Sequence, residues 1–470
     1  MHTLNPLLDP HGPLADKLFD SLLRLNPEDG SLEPGLAENW RASGLTFTFT
    51  LRSGVSWHDG RAFRAEDVAF TFSAVQALGE RSPLAPALTT VESFSAPDEK
   101  TFVVNLKKKN CAALYDLGLI PLIPSTEGED NPVGTGPFLF EGRTEDGGIR
   151  LRRNPHYYRG APRLEEWLYR PAADENALLA GLRAGKIDVA RLREGEREAE
   201  IKIYRYPRVG ADYYFIAYNN EHPILSDRRA RLALAHALDR HRILDEALGG
   251  AGELLPFGLP PGHWALPENL SPPDFDPEKA RQLLTQAGWQ DKDGDGIREK
   301  EGQPLNLLIL ANAENPIRRK VAFLVRGYYQ AVGVGAEVGI LDWTAFLENL
   351  FIHRFDLAVF SWPLELSPDQ MALWHSAEIQ PGRGFNFVSY DSLRADILLE
   401  AGRSVAGCDA QICKEIYRKL YQQIAKDLPY DFLFATDEFL AVSHCIAGPA
   451  PSPFAGPFWN VGEWRLEFGG

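Results

Sequence analysis

The texture of the chain changes at one place. Up to about residue 210 it reads as short β-rich runs broken by Gly and Pro; after Tyr213-Tyr214-Phe215-Ile216-Ala217-Tyr218 it reads as helices alternating with strands. Alternation of that kind describes a layered α/β unit, whereas a turn-rich run of strands needs a different core, so one architecture cannot serve both halves. Length points the same way, because 470 residues exceed the roughly 250–300 at which a single core stops growing. At least two packed units are expected.

In the first half, residues 45–51 (LTFTFTL) alternate apolar with Thr, the period of a half-buried strand, and residues 101–106 (TFVVNL) form a second such run. Between them, residues 65–78 place Val68, Phe72 and Val75 on one helical face. Residues 176–184 predict a short helix closed by Gly185. In the second half, residues 227–248 read as one long helix ending at Gly249-Gly250. Asp276-Pro277-Glu278 is a helix start that runs to Gly288, with Asp at the cap, Pro at the first helical position and an acid in the first turn. Residues 316–332, 343–351 and 409–427 predict helices, and 336–341, 355–361 and 431–436 predict strands. No internal repeat or low-complexity linker is visible.

Composition removes several classes of function. The balance of 65 acids against 49 Lys and Arg leaves −16, a field that repels nucleic acid and anionic lipid. No apolar run approaches the ~18 residues of a membrane span. The opening residues Met1-His2-Thr3-Leu4-Asn5-Pro6 lack the basic and apolar regions of a signal peptide. HExxH, GxSxG, a P-loop and GxGxxG are all missing, and the histidines show no ligand spacing on a helix face, so neither metal nor nucleophilic catalysis has local support. Asp291-Lys292-Asp293-Gly294-Asp295-Gly296 copies the first half of a calcium loop. Gly302, however, stands at position 12, where a bidentate Glu is required, so a polar turn is the simpler reading. Cys111, Cys408, Cys413 and Cys445 have neither CxxC nor zinc spacing; they read as small buried or free thiols, with Cys408 and Cys413 near enough in sequence to bridge in an oxidising compartment.

Eight strings taken together resemble a known family. They are LADKLFDSLLRLNPEDGSLEPGLAENW (14–40), LTFTFTLRSGVSWHDGRAF (45–63), AEDVAFTF (65–72), VGTGPF (133–138), RNPHYYRGAP (153–162), ARLALAHALDR (230–240), AGWQDKDGDGIREKEGQPL (287–305) and FDLAVFSWPLELSPD (355–369). Their order and spacing resemble the family 5 extracellular solute-binding proteins, the peptide- and nickel-binding components of ABC importers. The resemblance implies an α/β, two-lobed periplasmic-binding-protein fold of the large cluster, with an extra β-rich subdomain in the first lobe and a hinge of two crossing segments. Residues 1–33, 132–219 and 427–470 would form the core of lobe I, 34–131 its β-rich subdomain, and 220–426 lobe II. Two features depart from the family pattern: no strand or lipid-bearing cysteine precedes residue 5, and Arg64 enters a helix usually begun by Ser or Thr, a loss of ~1 kcal/mol unless the backbone adapts.

The function implied is non-catalytic capture of a small solute, foremost a short peptide, for delivery to an inner-membrane ABC permease. The carrier would be a monomer, periplasmic or lipid-anchored at the cell surface, with no cofactor or metal. By the resemblance, Trp362 and Glu365 match a Trp followed three residues on by an acid that pairs with the peptide ammonium, and Glu is one methylene longer than the commoner Asp. Trp374 and Phe385 are candidate apolar walls, Asn386 a fixed hydrogen-bonding group and His375 a neighbour of both. Gly134 and Thr135 would bring lobe I backbone to the cleft, and Tyr218 and Asn219 would sit at the hinge. The competing roles are a surface acid near a strand end for Glu365, core packing for Trp374 and Phe385, a hydrogen-bonded structural residue for His375, and a turn for Gly134 and Thr135. Three rival functions stay open: a nickel-chelate carrier using His375 or His353 with arginines, an enzyme with two distant carboxylates acting on a glycan, and a ligand sensor.

Overall fold

A computed structural model describes residues 4–10, 12, 14–125, 131–192, 201–207 and 209–467; residues 1–3 of the opening segment lie outside the described residues. The chain forms two compact units. The first comprises Met1–Tyr206, Arg403–Ile412 and Glu438–Gly470, the second Pro207–Gly402 and Cys413–Asp437. The chain therefore passes between them four times, where the sequence suggests two. The added passages come from the excursion 403–412, which a disulfide between Cys408 and Cys111 ties to the first unit. The pairing of Cys408 with Cys413 is thus replaced, and Cys413 is buried and in no disulfide. No helix among the described residues is long and apolar enough to cross a membrane.

In the first unit, β1 (Ala37–Ser43), β2 (Thr46–Leu51), β3 (Val91–Asp98) and β4 (Thr101–Leu106) form an antiparallel sheet in the order β1-β2-β4-β3. Strict alternation puts Phe47, Phe49 and Leu51 of β2 and Phe102, Val104 and Leu106 of β4 on one buried face. Across it lies α1 (Ala65–Leu78), whose Val68, Phe72 and Val75 are fully buried; the Phe72 and Phe102 rings meet edge-on at 4.9 Å. Each such side chain contributes roughly 1.5–3 kcal/mol by leaving water. The missing cap at Arg64 is offset by its backbone: Arg64 N–H donates to Asp67 Oδ2 (3.0 Å), and the same oxygen accepts from Trp57 Nε1 (3.0 Å). A second sheet joins Phe138–Arg143, Ile149–Arg153 and Glu166–Tyr169. Between the two sheets' sequences, His58 clasps the turn Gly134-Thr135-Gly136. Its Nδ1 accepts from Gly134 N–H (3.1 Å), its Nε2 lies 3.1 Å from Gly136 O, and its own N–H donates to Gly134 O (2.9 Å). Since Nδ1 accepts, the ring is the neutral Nε2–H tautomer, and burial pushes its pKa down to about 4.

In the second unit, β5 (Asp212–Tyr218) is followed by α2 (Arg228–His236) and α3 (Arg240–Leu248). The single helix expected over 227–248 is thus two, because Asp239 turns extended and its carboxylate caps Arg242 N–H. Then come α4 (Pro277–Gln286), capped by Asp276 as the sequence predicts, β6 (Asn306–Asn312), α5 (Pro316–Gln330), β7 (Gly335–Leu341), α6 (Trp343–Phe351), β8 (Leu357–Pro363), α7 (Leu393–Arg403), α8 (Ala410–Asp427) and β9 (Tyr430–Ser443). Strands β7, β6 and β8 are parallel neighbours; β5 pairs antiparallel with β8 and with the first half of β9. The second half of β9 (439–442) pairs with Val189–Leu192 in the first unit. Buried faces of β5, β6 and β8 pack with Val321, Ala322, Val325 and Tyr329 of α5 into one core. Its polar centre is an Arg240–Asp431 ion pair, 4% and 1% exposed, with the Tyr218 hydroxyl also donating to Asp431.

Candidate functional site

Parallel pairing brings the C-terminal ends of β6, β7 and β8 to one edge of the second unit, where Asn312 stands opposite Leu341 and Ser361-Trp362-Pro363 leave β8. Open α/β sheets bind ligands at such an edge. Helices α5 and α6 begin there, each capped by the residue before it: Asn315 accepts from Arg318 N–H (3.0 Å) and Asp342 from Ala345 N–H (3.1 Å). That geometry directs Arg318 inward. Its guanidinium donates to Asn312 Oδ1 (3.0 Å) and Ser361 Oγ (2.6 Å) and lies 4.5 Å over the Phe360 ring and 5.4 Å from Trp343. Trp343 is parallel to Phe360 at 6.3 Å, Phe360 meets Trp362 edge-on at 4.8 Å, and Trp362 meets Phe385 edge-on at 6.0 Å. The result is a continuous aromatic strip. Its two ends are open, Trp343 at 41% and Phe385 at 46% exposed, although rings of this size are ordinarily covered.

Charges flank the strip. Glu365, three residues after Trp362, is exposed, and its carboxylate is close enough to help raise the Tyr213 and Tyr421 hydroxyls, which burial pushes well above the ordinary tyrosine value. Asp212, at the start of β5 opposite Pro363, is raised by burial and held back by the Arg318 charge. Among the candidates read from the sequence, Trp362 and Phe385 therefore meet at this edge of the unit, and Glu365 stands exposed three residues after Trp362. Arg318 and Trp343 carry no comparable signal; only the helix starts Asn315-Pro316 and Asp342-Trp343 after apolar strands could have suggested them.

The other candidates are engaged by the fold itself. Trp374 is fully buried among Phe257, Tyr390 and Tyr430, and its Nε1 donates to Gln370 Oε1 (2.9 Å). Asn386 is also fully buried; its amide donates to His375 O and Tyr390 O and its oxygen accepts from Tyr390 N–H, which fixes a turn rather than a ligand. His375 Nδ1 accepts from Ala377 N–H (3.0 Å), and Nε2 lies 3.5 Å from Glu400 Oε1. Tyr218 is fully buried against Tyr329 and Asp431, and Asn219 donates to His353 O and Phe355 O. In the first unit, Thr135 is 1% exposed and donates to Asp20 Oδ2 (3.0 Å), while a Cβ on Gly134 would stand 1.7 Å from Leu18 O. That glycine is required by backbone packing.

His353 reaches Ser389 Oγ (2.7 Å), and burial lowers its pKa. Neither it nor His375 joins a set of three metal-ligating side chains; among the described residues the one such set is Asp291, Asp293 and Glu299. Those acids serve their own turn: Asp291 accepts from Gly294 and Gly296 N–H, Asp293 from Asp295 N–H and Glu299 from Lys292 N–H.

Comparison with known proteins agrees with this architecture. The model of the bacterial extracellular solute-binding proteins, family 5 (middle region), matches residues 31–380. The oligopeptide-binding protein AppA of Bacillus subtilis is 30% identical over 478 aligned residues, covering 96% of this chain and 87% of that protein. Its structure in complex with a nonapeptide superposes with TM-score 0.63 at 27% identity, over 100% of this chain and 97% of that one. NikZ of Campylobacter jejuni, solved with Ni(L-His), gives TM-score 0.67 at 26% identity, over 99% and 97%.

Proposed function

Because the chain belongs to the bacterial extracellular solute-binding proteins of family 5, a family of two-lobed α/β fold, we propose that it captures a short peptide and passes it to an ABC permease. The observation that carries this reading is the run of rings Trp343–Phe360–Trp362–Phe385, open at its two ends, with the exposed Glu365 carboxylate three residues after Trp362. Apolar rings offer a surface for side chains of a ligand, and a carboxylate accepts a charge-assisted hydrogen bond from its ammonium. Binding, not bond-making, is the chemistry these groups support. The Cys111–Cys408 disulfide favours an oxidising, extracytoplasmic location.

Native mass spectrometry of the protein as purified, followed by thermal shift against di- to nonapeptides, tests the proposal. Saturation at a hundred times Kd adds ~2.7 kcal/mol of stability. No co-purified peptide and no shift with any peptide would refute it; a shift confined to nickel–histidine would transfer the assignment to a metal chelate.

A further inference from the structure

Among the described residues, Lys17 is the one lysine that the fold takes wholly out of water, its side chain 0% exposed. An ammonium group is almost never buried unless something answers its charge. Lys17 Nζ donates to Asp16 Oδ1 at 2.9 Å, but that side chain is itself 42% exposed. Asp16 does not by itself offset burial, which pulls the Lys17 pKa down, the Arg191 charge adding to that effect. Two ring faces supply further attraction: Nζ lies 3.6 Å from the centroid of Phe458 and 4.9 Å from that of Trp167. These rings meet edge-on at 5.5 Å. The fully buried Trp464 backs both, 5.7 Å from Trp167 and 5.6 Å from Phe458, and its Nε1 donates to Asn460 Oδ1 (2.9 Å). The parts come from remote places in the sequence. Lys17 belongs to the helical turn Ala15–Leu18, Trp167 to the strand Glu166–Tyr169, and Phe458 and Trp464 to the C-terminal stretch. The backbone that carries Lys17 is pinned as well: Gly136 N–H donates to Leu18 O (2.9 Å), and a Cβ on Gly136 would stand 2.6 Å from Lys17 O.

We propose that Trp167, Phe458 and Trp464 form a cation-binding box for an alkylammonium, and that Lys17 is its built-in occupant. The ligand class follows from the lining. Ring faces attract a positive charge without asking for a particular hydrogen-bond geometry, and the Asp16 carboxylate accepts one N–H from a primary ammonium. Occupant and box lie on different segments, so the filled box clasps the C-terminal stretch to the strand Glu166–Tyr169 and to the N-terminal turn. While Lys17 is in place, an ammonium from outside finds the box closed. Once the lysine is shortened, the same rings take up a free alkylammonium, and the clasp is restored.

The test uses the full chain carrying Lys17→Ala, with n-propylammonium chloride as the probe because it supplies the atoms removed beyond Cβ. 1-Propanol is the uncharged control and sodium chloride the salt control. Hydrogen exchange of residues 458–464 is followed by mass spectrometry, with thermal shift beside it. Without a probe, that segment should exchange about tenfold faster in K17A than in wild type. n-Propylammonium should reverse the loss saturably in K17A and leave wild type unaffected. In K17A/F458L its affinity should fall about threefold or more, since one ring face is gone. Four results would overturn the proposal: equal exchange in K17A and wild type; no recovery with the ammonium; equal recovery with 1-propanol, which would make the box an apolar cavity; or unchanged affinity in K17A/F458L, which would leave Asp16 as the whole of the recognition. Should K17A fail to fold, Lys17→Met decides, since it keeps the length and loses the charge: its 458–464 segment should also exchange about tenfold faster, and wild-type protection would overturn the proposal.

Discussion

Acid should loosen the first unit through His58. In the folded chain its Nδ1 accepts from Gly134 N–H, and burial holds the ring near pKa 4 against an ordinary 6.5; the nearby Asp59 charge pulls the other way and is outweighed. The unfolded chain therefore binds a proton at a pH where the folded chain refuses it. Stability from this group is fully present above pH 6.5 and is lost as pH falls from 6.5 towards 4. At pH 5, 1.5 units below the unfolded value, the loss is about 2 kcal/mol at 1.36 kcal/mol per unit. For a unit of this size that lowers Tm by roughly 4–8 °C. Replacing His58 with Gln keeps an acceptor and a donor but removes the titration. Thermal unfolding of wild type and H58Q between pH 7.5 and 5 should show the wild type falling more steeply by that amount. Parallel curves, within about 1 °C, would show that the ring does not stay neutral in the clasp.

Glu365→Gln should weaken peptide binding about ten- to a hundredfold by calorimetry, the worth of a charge-assisted hydrogen bond, with unfolding unchanged because the side chain is exposed; equal affinity would remove Glu365 from the site. Trp374→Ala should cost about 3–5 kcal/mol in urea, whereas Phe385→Ala should alter stability by no more than about 0.5 kcal/mol and still reduce ligand affinity. Matching stability losses in the two variants would contradict the separation of core ring from open ring. Arg240→Met leaves Asp431 buried without its cation and should destabilise by about 3–5 kcal/mol, with R240M/D431L recovering much of that in the same denaturation assay. A double variant no more stable than the single would overturn this account of the pair.

Local pattern was legible where one element decides its own structure. The alternation of residues 46–51, the face Val68-Phe72-Val75 and the cap at Asp276 all formed as read. The split at Asp239 was missed although Asp before a helical run is a cap signal, because the apolar period continues across it. Cysteine pairing was illegible for another reason: proximity in sequence favours Cys413, but the bond depends on which segments meet in three dimensions. The same holds for the site. Trp362 and Trp374 are the same residue type twelve positions apart, and only packing makes one partly open and the other the centre of a core. Arg318 acquires its place from a strand end, a helix start and a neighbouring strand that meet only after folding.

The segmentation of the first unit bears on the order in which the protein can be made. Synthesis runs from the N-terminal side, so most of that unit leaves the ribosome before the second, but it lacks residues 403–412 and the stretch from Glu438 until the later part of the chain emerges. The strand Val189–Leu192 waits for its partner at 439–442, and Cys111 waits for Cys408. The portion that appears earliest is thus completed last, and meanwhile it presents an unpaired strand and a free thiol of the kind that invite mispairing. A nascent chain of this design gains from a holdase that keeps it open, and from an oxidant that meets it only after its final residues have been delivered.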